Sequence, residues 1–431
     1  MKTVYMCFST DIIHSGHINI INRAAQLGAV TAGVLCDRCV AIYEKYPLLP
    51  EQERVKILEN ITGISQVVIQ NDIYYDETIR ELRPDYVVHG DNWRTGYQKP
   101  VRERVIEALK EWGGELVEFP YTSNETLATI SQSLESRVGM PETRRQWLQY
   151  KLKSGEITRV MEAHDGLSAL LVERSKVGQP GKEDVYDGIW ISSLCDSTVK
   201  GKPDTELVDL TARLQTVSQI LDVTTKPIIF DMDTGGMLEH FVYNIATIEK
   251  AGVSAVIIED KTGLKRNSLF GTSVEQHQES IEHFCEKIRA GKSIIKSGNF
   301  MLIARIESLI LKQGQEDAMK RALAYVNAGA DGIMIHSKES TPEEVFAFCD
   351  RFRAADPATP IVAVPTTYSS VTEEELLAHG VNMVIYANQL LRASYPMMEK
   401  TAYSILEHHR ALESEDMCMS IKHILSLLET P

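Results

Sequence analysis

The sequence predicts a two-domain α/β protein, in which a small Rossmann-like parallel sheet is followed by a (β/α)8, or TIM, barrel. The chain has 431 residues, which is more than one ordinary hydrophobic core accommodates. Strand-like and helical patterns alternate through roughly the first 125 residues, and eight more strand–helix units follow from Ile157. Such alternation indicates βαβ units and parallel sheets.

Composition narrows the class of protein. The chain is 43% hydrophobic and 24% charged, which is typical of globular domains, and no apolar run approaches the ~18 residues that span a membrane. The N-terminus has no apolar signal core, so we expect a cytoplasmic protein. A net charge of −15 argues against nucleic-acid binding. The C-x-x-C at Cys36 and Cys39 has no second ligand pair, so ordinary thiols are expected there.

Strand-like runs define both predicted domains. Five runs suit a doubly wound sheet at residues 1–135, and Gly139 and Pro141 mark the boundary. Eight runs within about 275 residues fit a (β/α)8 barrel at residues 140–431. The five are TVYMCFS, AVTAGVLC, SQVVIQ, DYVVHG and ELVEFPY; the eight are ITRVMEA, DGIWISS, PIIFDMD, VSAVIIED, FMLIARI, DGIMIHS, PIVAVPT and NMVIYAN.

Polar and charged side chains follow the predicted barrel strands. Chemistry in such barrels takes place at the C-terminal ends of the strands. A single carboxylate or histidine at such a place more often caps a helix or lies satisfied in the core, but several at successive strand ends predict an active site. The set is Ser192, Asp231, Asp233, Glu259, Arg305, Glu307, His336, Thr366 and Asn388.

Three of these residues suggest a metal ion. Asp231, Asp233 and Glu259 supply hard oxygen ligands, which suit Mg²⁺. Cations near the same strand ends, Arg305 among them, suit an anionic substrate such as a carboxylate or a phosphate.

The fourth predicted barrel strand ends in the charge-rich stretch EDKTGLKRNS. A mobile loop around Gly263 would act as a lid that brings Lys265, Asn267 and Ser268 onto a substrate. Arg266 adds a further cation. The alternative interpretation of KTGLKR alone is a solvated basic loop.

Eight stretches together resemble the phosphoenolpyruvate mutase family of the isocitrate lyase superfamily. The resemblance runs from about Met140 to the C-terminus. It implies interconversion of phosphoenolpyruvate and phosphonopyruvate with Mg²⁺ as the cofactor. The stretches are VMEAHDGLSALLVE, GIWISSL, DMDTG, EDKTGLKRNS, IARIES, MIHSKE, VPTTY and VIYANQLLRAS.

The resemblance also implies a role for each matching residue. Asp231 would bind Mg²⁺ directly, and Asp233 and Glu259 would hold it through water. The backbone of Ser192, Ser193 and Leu194 would receive the enolate oxygen, with Trp190 behind the planar enolate. The matching catalytic positions are Asp204, Arg305 at the carboxylate and phosphoryl oxygens, His336 at the phosphoryl group, and Lys265, Asn267 and Ser268 of the lid.

Neighbouring families leave alternatives open. Isocitrate lyase-type enzymes carry a loop cysteine in a K-K-C-G-H pattern, which this loop lacks. Phosphonopyruvate hydrolase has a threonine where the mutases have asparagine, and Asn267 stands at that place. A carbon–carbon lyase of the carboxyphosphonopyruvate type is the remaining alternative.

The first domain carries two histidines where its first helix begins. The stretch from Ser9 to His17 contains H-x-G-H, with His14, Gly16 and His17 at a helix N-terminus, where backbone N–H groups favour phosphate. Each imidazole can donate to a triphosphate. Two unrelated histidines near a turn are the alternative.

This stretch and RPDYVVHGDNW resemble cytidylyltransferases of the glycerol-3-phosphate and choline-phosphate type over roughly residues 1–135. The resemblance implies a Rossmann-like nucleotidyltransferase domain that takes CTP and a phosphonate. The chain lacks the R-T-x-G-I-S-T-T segment of that family and reads PYTSNETLATISQ instead, so a nucleotide-sensing or assembly module is the alternative. The implied nucleotide-binding residues are Thr10, His14, Gly16, His17, Lys45, His89, Gly90 and Asp91.

The two resemblances together imply phosphonate biosynthesis. The barrel would form the carbon–phosphorus bond, and the first domain would transfer CMP to a downstream phosphonate such as 2-hydroxyethyl- or 2-aminoethylphosphonate. Superfamily barrels commonly exchange a C-terminal helix, so a dimer or tetramer is expected, whereas packing of that helix on its own barrel is the alternative.

Overall fold

The computed structural model describes residues 2–9, 13–42, 49–94, 98–120, 140–179, 182–263 and 265–428. The chain divides into two compact units, one of Met1–Val138 with Val177–Asp184 and the other of Gly139–Lys176 with Val185–Pro431. Each unit has a hydrophobic core of its own.

The first unit is built on a parallel sheet of five strands, which confirms the predicted Rossmann-like arrangement. Its strands are β1 Thr3–Phe8, β2 Ala29–Leu35, β3 Ile64–Gln70, β4 Tyr86–Gly90 and β5 Glu115–Phe119. Its helices are α1 Ser15–Leu27, α2 Asp37–Ile42, α3 Glu51–Glu59, α4 Asp76–Leu82 and α5 Lys99–Leu109. The strand order β3-β2-β1-β4-β5 reverses between β1 and β4, and ligands of doubly wound sheets bind at such a switch point.

The second unit is the predicted closed barrel of eight parallel strands. These are β6 Thr158–Glu162, β9 Gly188–Ile191, β10 Ile228–Asp231, β11 Ala255–Glu259, β14 Met301–Ile306, β15 Gly332–Ile335, β16 Ile361–Ala363 and β17 Met383–Tyr386. Each pairs with the next along the chain, and β17 closes on β6. Two further two-stranded sheets were not predicted from the sequence. One pairs β7 Lys176–Gln179 with β8 Lys182–Val185 and belongs mostly to the first unit. The other pairs β12 Lys261–Thr262 with β13 His277–Gln278 in the second unit.

Helices follow the barrel strands and cover their outer faces. Because both faces of a barrel strand are buried, strands such as β10 and β11 read as continuous apolar runs. Asp165 and Thr372 begin two of the helices with capping boxes. The helices are α6 Pro141–Lys153, α7 Gly166–Arg174, α8 Ser193–Val199, α9 Leu210–Leu221, α10 Leu238–Lys250, α11 Ile281–Ile294, α12 Gly314–Asn327, α13 Glu343–Ala355, α14 Glu373–Ala378, α15 Gln389–His408 and α16 Ile421–Ser426.

The pleat of the strands decides which side chains face the barrel interior. Successive side chains alternate between faces, so residues two apart share one. The inner cluster contains Ile229, Ile257, Ile303 and Met334. Two positions further along the same face come, in order, Asp231, Glu259, Arg305 and His336. The pleat therefore directs four of the predicted site residues toward one end of the barrel axis.

Two expectations from composition can be compared with the structure. No helix in the described ranges combines the length and the apolar character that a bilayer crossing requires. The seven cysteines all lie within the described residues, and none of them, Cys36 and Cys39 of the C-x-x-C pattern included, forms a disulfide bond.

Candidate active sites

A loop between β11 and α11 leaves the barrel and returns to it. The antiparallel pairing of β12 with β13 closes its base, and Gln278 Nε2 donates to Asp260 Oδ2 at 2.9 Å. We call residues 261–278 the lid. It carries the predicted site residues Lys265, Asn267 and Ser268.

The Lys265 ammonium of the lid lies among carboxylates. It donates to Asp204 Oδ1 at 3.0 Å, and also to Asp233 Oδ1 and to the Ser193 hydroxyl. Asn267 Nδ2 donates to Asp204 Oδ2 at 3.0 Å. Burial alone would lower the pKa of Lys265, but the carboxylates, Asp233 first, outweigh it and raise the pKa. Lys265 is therefore cationic at neutral pH.

Asp231 ends strand β10 and is held by the turn after β9. Its Oδ2 accepts from the Ser193 hydroxyl at 2.8 Å and from the Ser193 backbone N–H at 3.2 Å. Burial would raise the pKa of Asp231, but the positive charges of Lys265 and Arg305 outweigh it and lower the pKa. Asp231 is therefore an oriented, ionised carboxylate. The N–H and hydroxyl of Ser193 both orient Asp231 in this arrangement.

Asp233 follows in a left-handed backbone conformation, with a φ of 55°. Few non-glycine residues adopt this conformation. Its Oδ2 accepts from Arg213 Nη1 at 3.1 Å, and the Arg213 guanidinium lies 4.2 Å from the centre of the Phe230 ring. Arg213 comes from helix α9 rather than from a strand end, so the sequence analysis missed it, and no local sequence pattern signals its position.

A second cluster centres on Arg305 at the end of β14. Its Nε donates to Glu307 Oε1 at 2.5 Å and its Nη2 to Ser268 Oγ of the lid at 2.6 Å. The same Nη2 lies 2.9 Å from His336 Nδ1, which is 3.1 Å from Glu307 Oε1. The structure therefore brings together three predicted site residues, Ser268, Arg305 and His336, around Glu307.

The charge states in this cluster follow from its burial. Burial and then the charge of Arg305 lower the pKa of His336. Burial would raise the pKa of Glu307, but Arg305 and then His336 outweigh it and hold the pKa well below its usual range. At neutral pH His336 is therefore a neutral imidazole beside an ionised carboxylate.

The carboxyl group of Glu259 is buried beside both clusters. Neither of its oxygens accepts a hydrogen bond from any residue that the structure describes. The nearest cations are Lys261 Nζ and Arg305 Nη2, each at 3.3 Å, and burial raises the pKa of Glu259 to about 7. Buried carboxylates normally accept hydrogen bonds, so this pair of oxygens suits a group that the chain itself does not supply.

The remaining predicted barrel residues lie near these clusters without joining their hydrogen bonds. Ser192 caps helix α8 by accepting from Cys195 N at 3.4 Å. Trp190 lies in the inner cluster, and its buried Nε1 has no partner among the described residues. Within the described part of the chain, Thr366 bonds to Val364 O, and Asn388 bonds to Gln389 and Arg392 of α15. Leu194 is half-buried on α8.

In the first unit, His14 and His17 form the N-terminal cap of α1. His14 Nδ1 accepts from the Gly16 N–H at 3.1 Å, and His17 Nδ1 accepts from the His14 N–H at 3.4 Å. Their ring centres are 3.8 Å apart, and burial lowers the pKa of His14. Because each Nδ1 is an acceptor, each neutral ring carries its proton on Nε2.

The segment after β4 lies at the neighbouring strand end. His89 stacks on Trp93, with ring centres 3.8 Å apart, and its Nδ1 lies 2.9 Å from Gly90 O. Burial lowers the pKa of His89. Asp91 begins the short 3₁₀ helix Asp91–Arg94. Of the predicted nucleotide-binding residues, Thr10 and Lys45 lie outside the described residues. Residues 121–139, which contain most of the segment PYTSNETLATISQ, also lie outside them.

Glu118 on β5, which the sequence analysis did not single out, ties this segment to the sheet. Its Oε1 accepts from Trp93 Nε1 at 2.7 Å and from Arg102 Nε at 2.9 Å. Its Oε2 accepts from Arg94 Nη2 at 2.9 Å and from Arg102 Nη2 at 3.0 Å. The hydrogen bond from Arg102, followed by those from Arg94 and Trp93, outweighs burial and lowers the pKa of Glu118 to about 2.

Two family models match the chain, one in each half. The model described as phosphoenolpyruvate phosphomutase matches residues 149–406. The model described as cytidylyltransferase-like matches residues 7–131. Both predicted resemblances are thereby confirmed at the level of the family.

Several known proteins are similar to the barrel half of the chain. The phosphoenolpyruvate phosphomutase of Tetrahymena pyriformis is 35% identical over 281 residues, which are 65% of this chain and 89% of that protein. A crystal structure of phosphoenolpyruvate phosphomutase from Streptomyces platensis subsp. rosaceus has a TM-score of 0.60 and 34% identity, over 66% of this chain and 94% of that one. A phosphonopyruvate hydrolase crystallised with oxalate and Mg²⁺ has a TM-score of 0.59 and 32% identity, over 66% and 94%.

Replacing Glu118 with glutamine is predicted to loosen residues 86–94 and to make them less sensitive to acid. The pKa of about 2 lies below the ordinary 4.5, so this carboxylate stabilises the fold fully above pH 4.5 and loses that effect as the pH falls toward 2. Hydrogen exchange of the full chain, corrected for the intrinsic effect of pH, should be faster in residues 86–94 of the variant at about pH 6.

At about pH 3 the exchange of the variant and the unmodified chain should differ less. Glu107→Gln is the matched control, because Glu107 is an exposed residue of α5 paired with Lys110. Equal protection of residues 86–94 in all three proteins at both pH values would contradict the role assigned to Glu118.

Proposed function

The chain belongs to the phosphoenolpyruvate phosphomutase family, and we propose that its barrel interconverts phosphoenolpyruvate and phosphonopyruvate with Mg²⁺. One observation carries the proposal. Cations from the barrel and from the lid converge with buried carboxylates at the carboxyl end of the strands: Arg305 reaches Ser268 of the lid, and Lys265 of the lid reaches Asp204 and Asp233.

The residues at this end of the barrel fit Mg²⁺. Asp231, Asp233 and Glu259 offer hard oxygen ligands, and both oxygens of Glu259 lack a hydrogen bond from the described chain. No three His, Cys, Asp or Glu side chains of the described ranges form a direct metal cluster, so we propose Asp231 as the direct ligand and water-mediated roles for Asp233 and Glu259. The ion, when bound, neutralises charge on the enolate and phosphoryl oxygens.

The proposed reaction moves a phosphoryl group within one molecule. Breaking the carbon–phosphorus bond of phosphonopyruvate leaves the electron pair on the pyruvate enolate, and the enolate oxygen then takes the phosphoryl group. No water is consumed. Such a loose transfer depends on positioning and on charge neutralisation rather than on a strong nucleophile.

The side chains divide this work. The Arg305 fork would bridge carboxylate and phosphoryl oxygens, and neutral His336 would contact the phosphoryl group. Lys265, Asn267 and Ser268 of the lid would hold that group during its transfer. Asp204 would fix Lys265 and Asn267 through the two hydrogen bonds already described.

The substrate's pyruvate part would lie against the turn after β9. We propose that backbone groups of Ser192, Ser193 and Leu194 receive the enolate oxygen, with Trp190 behind the planar enolate. Because Ser193 already donates to Asp231, its larger contribution is to orient that carboxylate.

A hydrolase is the second candidate for the barrel, because the phosphonopyruvate hydrolase matches nearly as well, at 32% identity against 34% for the mutase structure. Asn267 favours the mutase: it stands where the hydrolase has threonine, and here it is held by Asp204. A carbon–carbon lyase remains the third candidate.

For the first unit we propose CMP transfer from CTP to a phosphonate such as 2-hydroxyethyl- or 2-aminoethylphosphonate. The cytidylyltransferase-like match and the tautomers of His14 and His17 support it, because both Nε2 atoms carry protons that can be donated to a triphosphate. His89, Gly90 and Asp91 end the neighbouring strand. A nucleotide-sensing or assembly module is the alternative.

The two activities would serve phosphonate biosynthesis as separate domains, at residues 1–135 and 140–431. The barrel would make the carbon–phosphorus bond, and the first domain would activate a later phosphonate. Other enzymes would carry out the intervening steps, so no direct transfer between the two sites is required.

We further propose that the chain forms a homo-oligomer through its C-terminal helices. Helix α15 and the residues after it expose many large apolar side chains, which monomers rarely leave uncovered. These include Tyr395, Met398, Tyr403, Leu406, Ile421, Leu425 and Leu428.

Phosphorus NMR of the full chain with phosphonopyruvate and Mg²⁺ should show a phosphoenolpyruvate signal growing as the substrate signal falls. Inorganic phosphate as the sole product would establish the hydrolase instead. If folded, metal-loaded protein leaves phosphonopyruvate unchanged, both proposals fail and the carbon–carbon lyase becomes the remaining candidate.

Arg305→Lys keeps the charge but loses the fork that spans Ser268 and Glu307, so we expect kcat in the same NMR assay to fall roughly a hundredfold or more.

Replacing His14 or His17 with alanine should lower the rate of CMP transfer about a hundredfold or more. The assay measures CTP-dependent formation of the CMP-phosphonate by phosphorus NMR. Conversion of phosphonopyruvate by the same variants is the internal control and should not change. Absence of transfer in the unmodified chain would support the non-catalytic module.

Light scattering after size exclusion should give a mass above the 48.4 kDa of one chain. Leu406→Glu should lower that mass, because a charge cannot be buried in an apolar interface without a partner. Tyr243→Glu is the matched control, since Tyr243 is equally exposed on α10. A monomeric unmodified chain would refute the oligomer.

A further inference from the structure

Lys261 is a buried cation to which neither the sequence analysis nor the proposed reaction assigns a role. It begins the lid as the first residue of β12 and is 4% exposed. Its ammonium lies 3.3 Å from Glu259 Oε1 and 3.7 Å from Glu307 Oε2. Lys261 therefore lies between the carboxylates of the barrel and the lid above them.

All three protons of this ammonium are used by the lid. Lys261 Nζ donates to the backbone carbonyl of Arg266 at 2.9 Å and to Ser268 Oγ at 2.9 Å. The third acceptor is Gln276 Oε1 at 3.0 Å, and the Gln276 Nε2 donates in turn to Gly271 O at 2.7 Å. A lysine has three donors, so the two barrel carboxylates attract Lys261 by charge alone.

The hydrogen bonds of those carboxylates agree with this assignment. Glu259 Oε1 and Glu307 Oε2 both lack a hydrogen bond from the described residues although they face the ammonium. The carboxylates thus hold the lysine in place without competing for its protons. The lysine in turn binds both the departing and the returning segment of the lid, at Arg266 and Ser268 and at Gln276.

We propose that Lys261 is the latch of the lid: a positioning residue that holds residues 265–276 closed over the active site by binding three lid acceptors at once. It acts through Ser268, which Arg305 also contacts, and so sets the position of a residue proposed to hold the phosphoryl group. The part of this inference that concerns catalysis rests on the proposed function.

The far side of the lid is also closely packed. Gly271 has a φ of 53°, and a Cβ built on it would lie 2.2 Å from Lys338 Nζ in the loop after β15. The lid tip therefore lies against the Lys338 side chain of the barrel.

A loosened latch would admit water to the reaction. The oxygen of a water molecule would bond to phosphorus as the carbon–phosphorus bond breaks, and the electron pair would stay on the pyruvate enolate, which then takes a proton. The products would be pyruvate and inorganic phosphate in place of phosphoenolpyruvate. Water exclusion by a closed lid prevents this side reaction.

Limited trypsin digestion tests the latch independently of catalysis. Cleavage after Arg266 requires release of the carbonyl that Lys261 holds, so its rate reports the open fraction of the lid. We expect Lys261→Met to raise cleavage after Lys265 and Arg266 about tenfold or more, since hydrogen bonds from a charged donor are lost. Gln276→Leu, which removes one acceptor and keeps the lysine, should raise it about threefold.

Lys292→Met is the control, because Lys292 makes a partly exposed ion pair with Asp331 at the other end of β15. Its cleavage at the lid should stay within about twofold of the unmodified chain. Unchanged cleavage in both Lys261→Met and Gln276→Leu, or an equal rise in Lys292→Met, would overturn the latch.

Phosphorus NMR with phosphonopyruvate then tests its effect on the reaction. In Lys261→Met we expect a larger share of inorganic phosphate among the products than in the unmodified chain or Lys292→Met. The same product ratio in all three, with faster cleavage of the lid in Lys261→Met, would overturn the catalytic part of the inference. If the unmodified chain forms no phosphoenolpyruvate, the proposed function fails, and the cleavage rates still decide whether Lys261 is the latch.

Discussion

Four carboxyl groups are buried at the carboxyl end of the barrel, where the dielectric constant is low, and the chain must balance the negative charge of those that are ionised. The four are Asp231, Asp233, Glu259 and Glu307. An unpaired buried charge costs several kcal/mol, on the order of 3–5 when one partner is removed. The barrel supplies two cations, Arg305 and Arg213, and the lid supplies Lys261 and Lys265. The closed lid therefore contributes part of the positive charge that balances these carboxylates, which gives a reason for the charged residues that follow a buried strand.

In the first unit, hydrogen bonds orient the candidate site residues. His14 and His17 cap a helix whose N-terminus already attracts anions, and their Nδ1 atoms are used by backbone donors. The neighbouring strand end is fixed by Glu118, which holds Trp93 under His89. The proposed nucleotide-binding groups near both strands are thus oriented by hydrogen bonds, as a preformed binding site requires.

Much of this architecture could be predicted from the sequence because it depends on local pattern. Barrel strands buried on both faces read as apolar runs, and the polar residues that follow these runs, such as Glu259 and Arg305, mark the strand ends where the site lies. Arg213 and Glu118 were missed because they reach their partners from a helix and from a distant strand, and no spacing encodes that proximity. The lid hairpin was missed because two-residue strands such as Lys261–Thr262 are too short to show alternation.

The closed base of the lid has a consequence for how such a protein diversifies. Because β12 pairs with β13 before the chain departs, the residues from 263 to 276 begin and end at one point of the scaffold. Insertions, deletions and substitutions within them leave the register of the barrel strands untouched, and lengthening such a closed loop adds only slowly to its entropic cost. Evolution can therefore change the polar side chains of this loop while the barrel carboxylates stay in place. One barrel scaffold can then acquire a new activity through substitutions in a single loop.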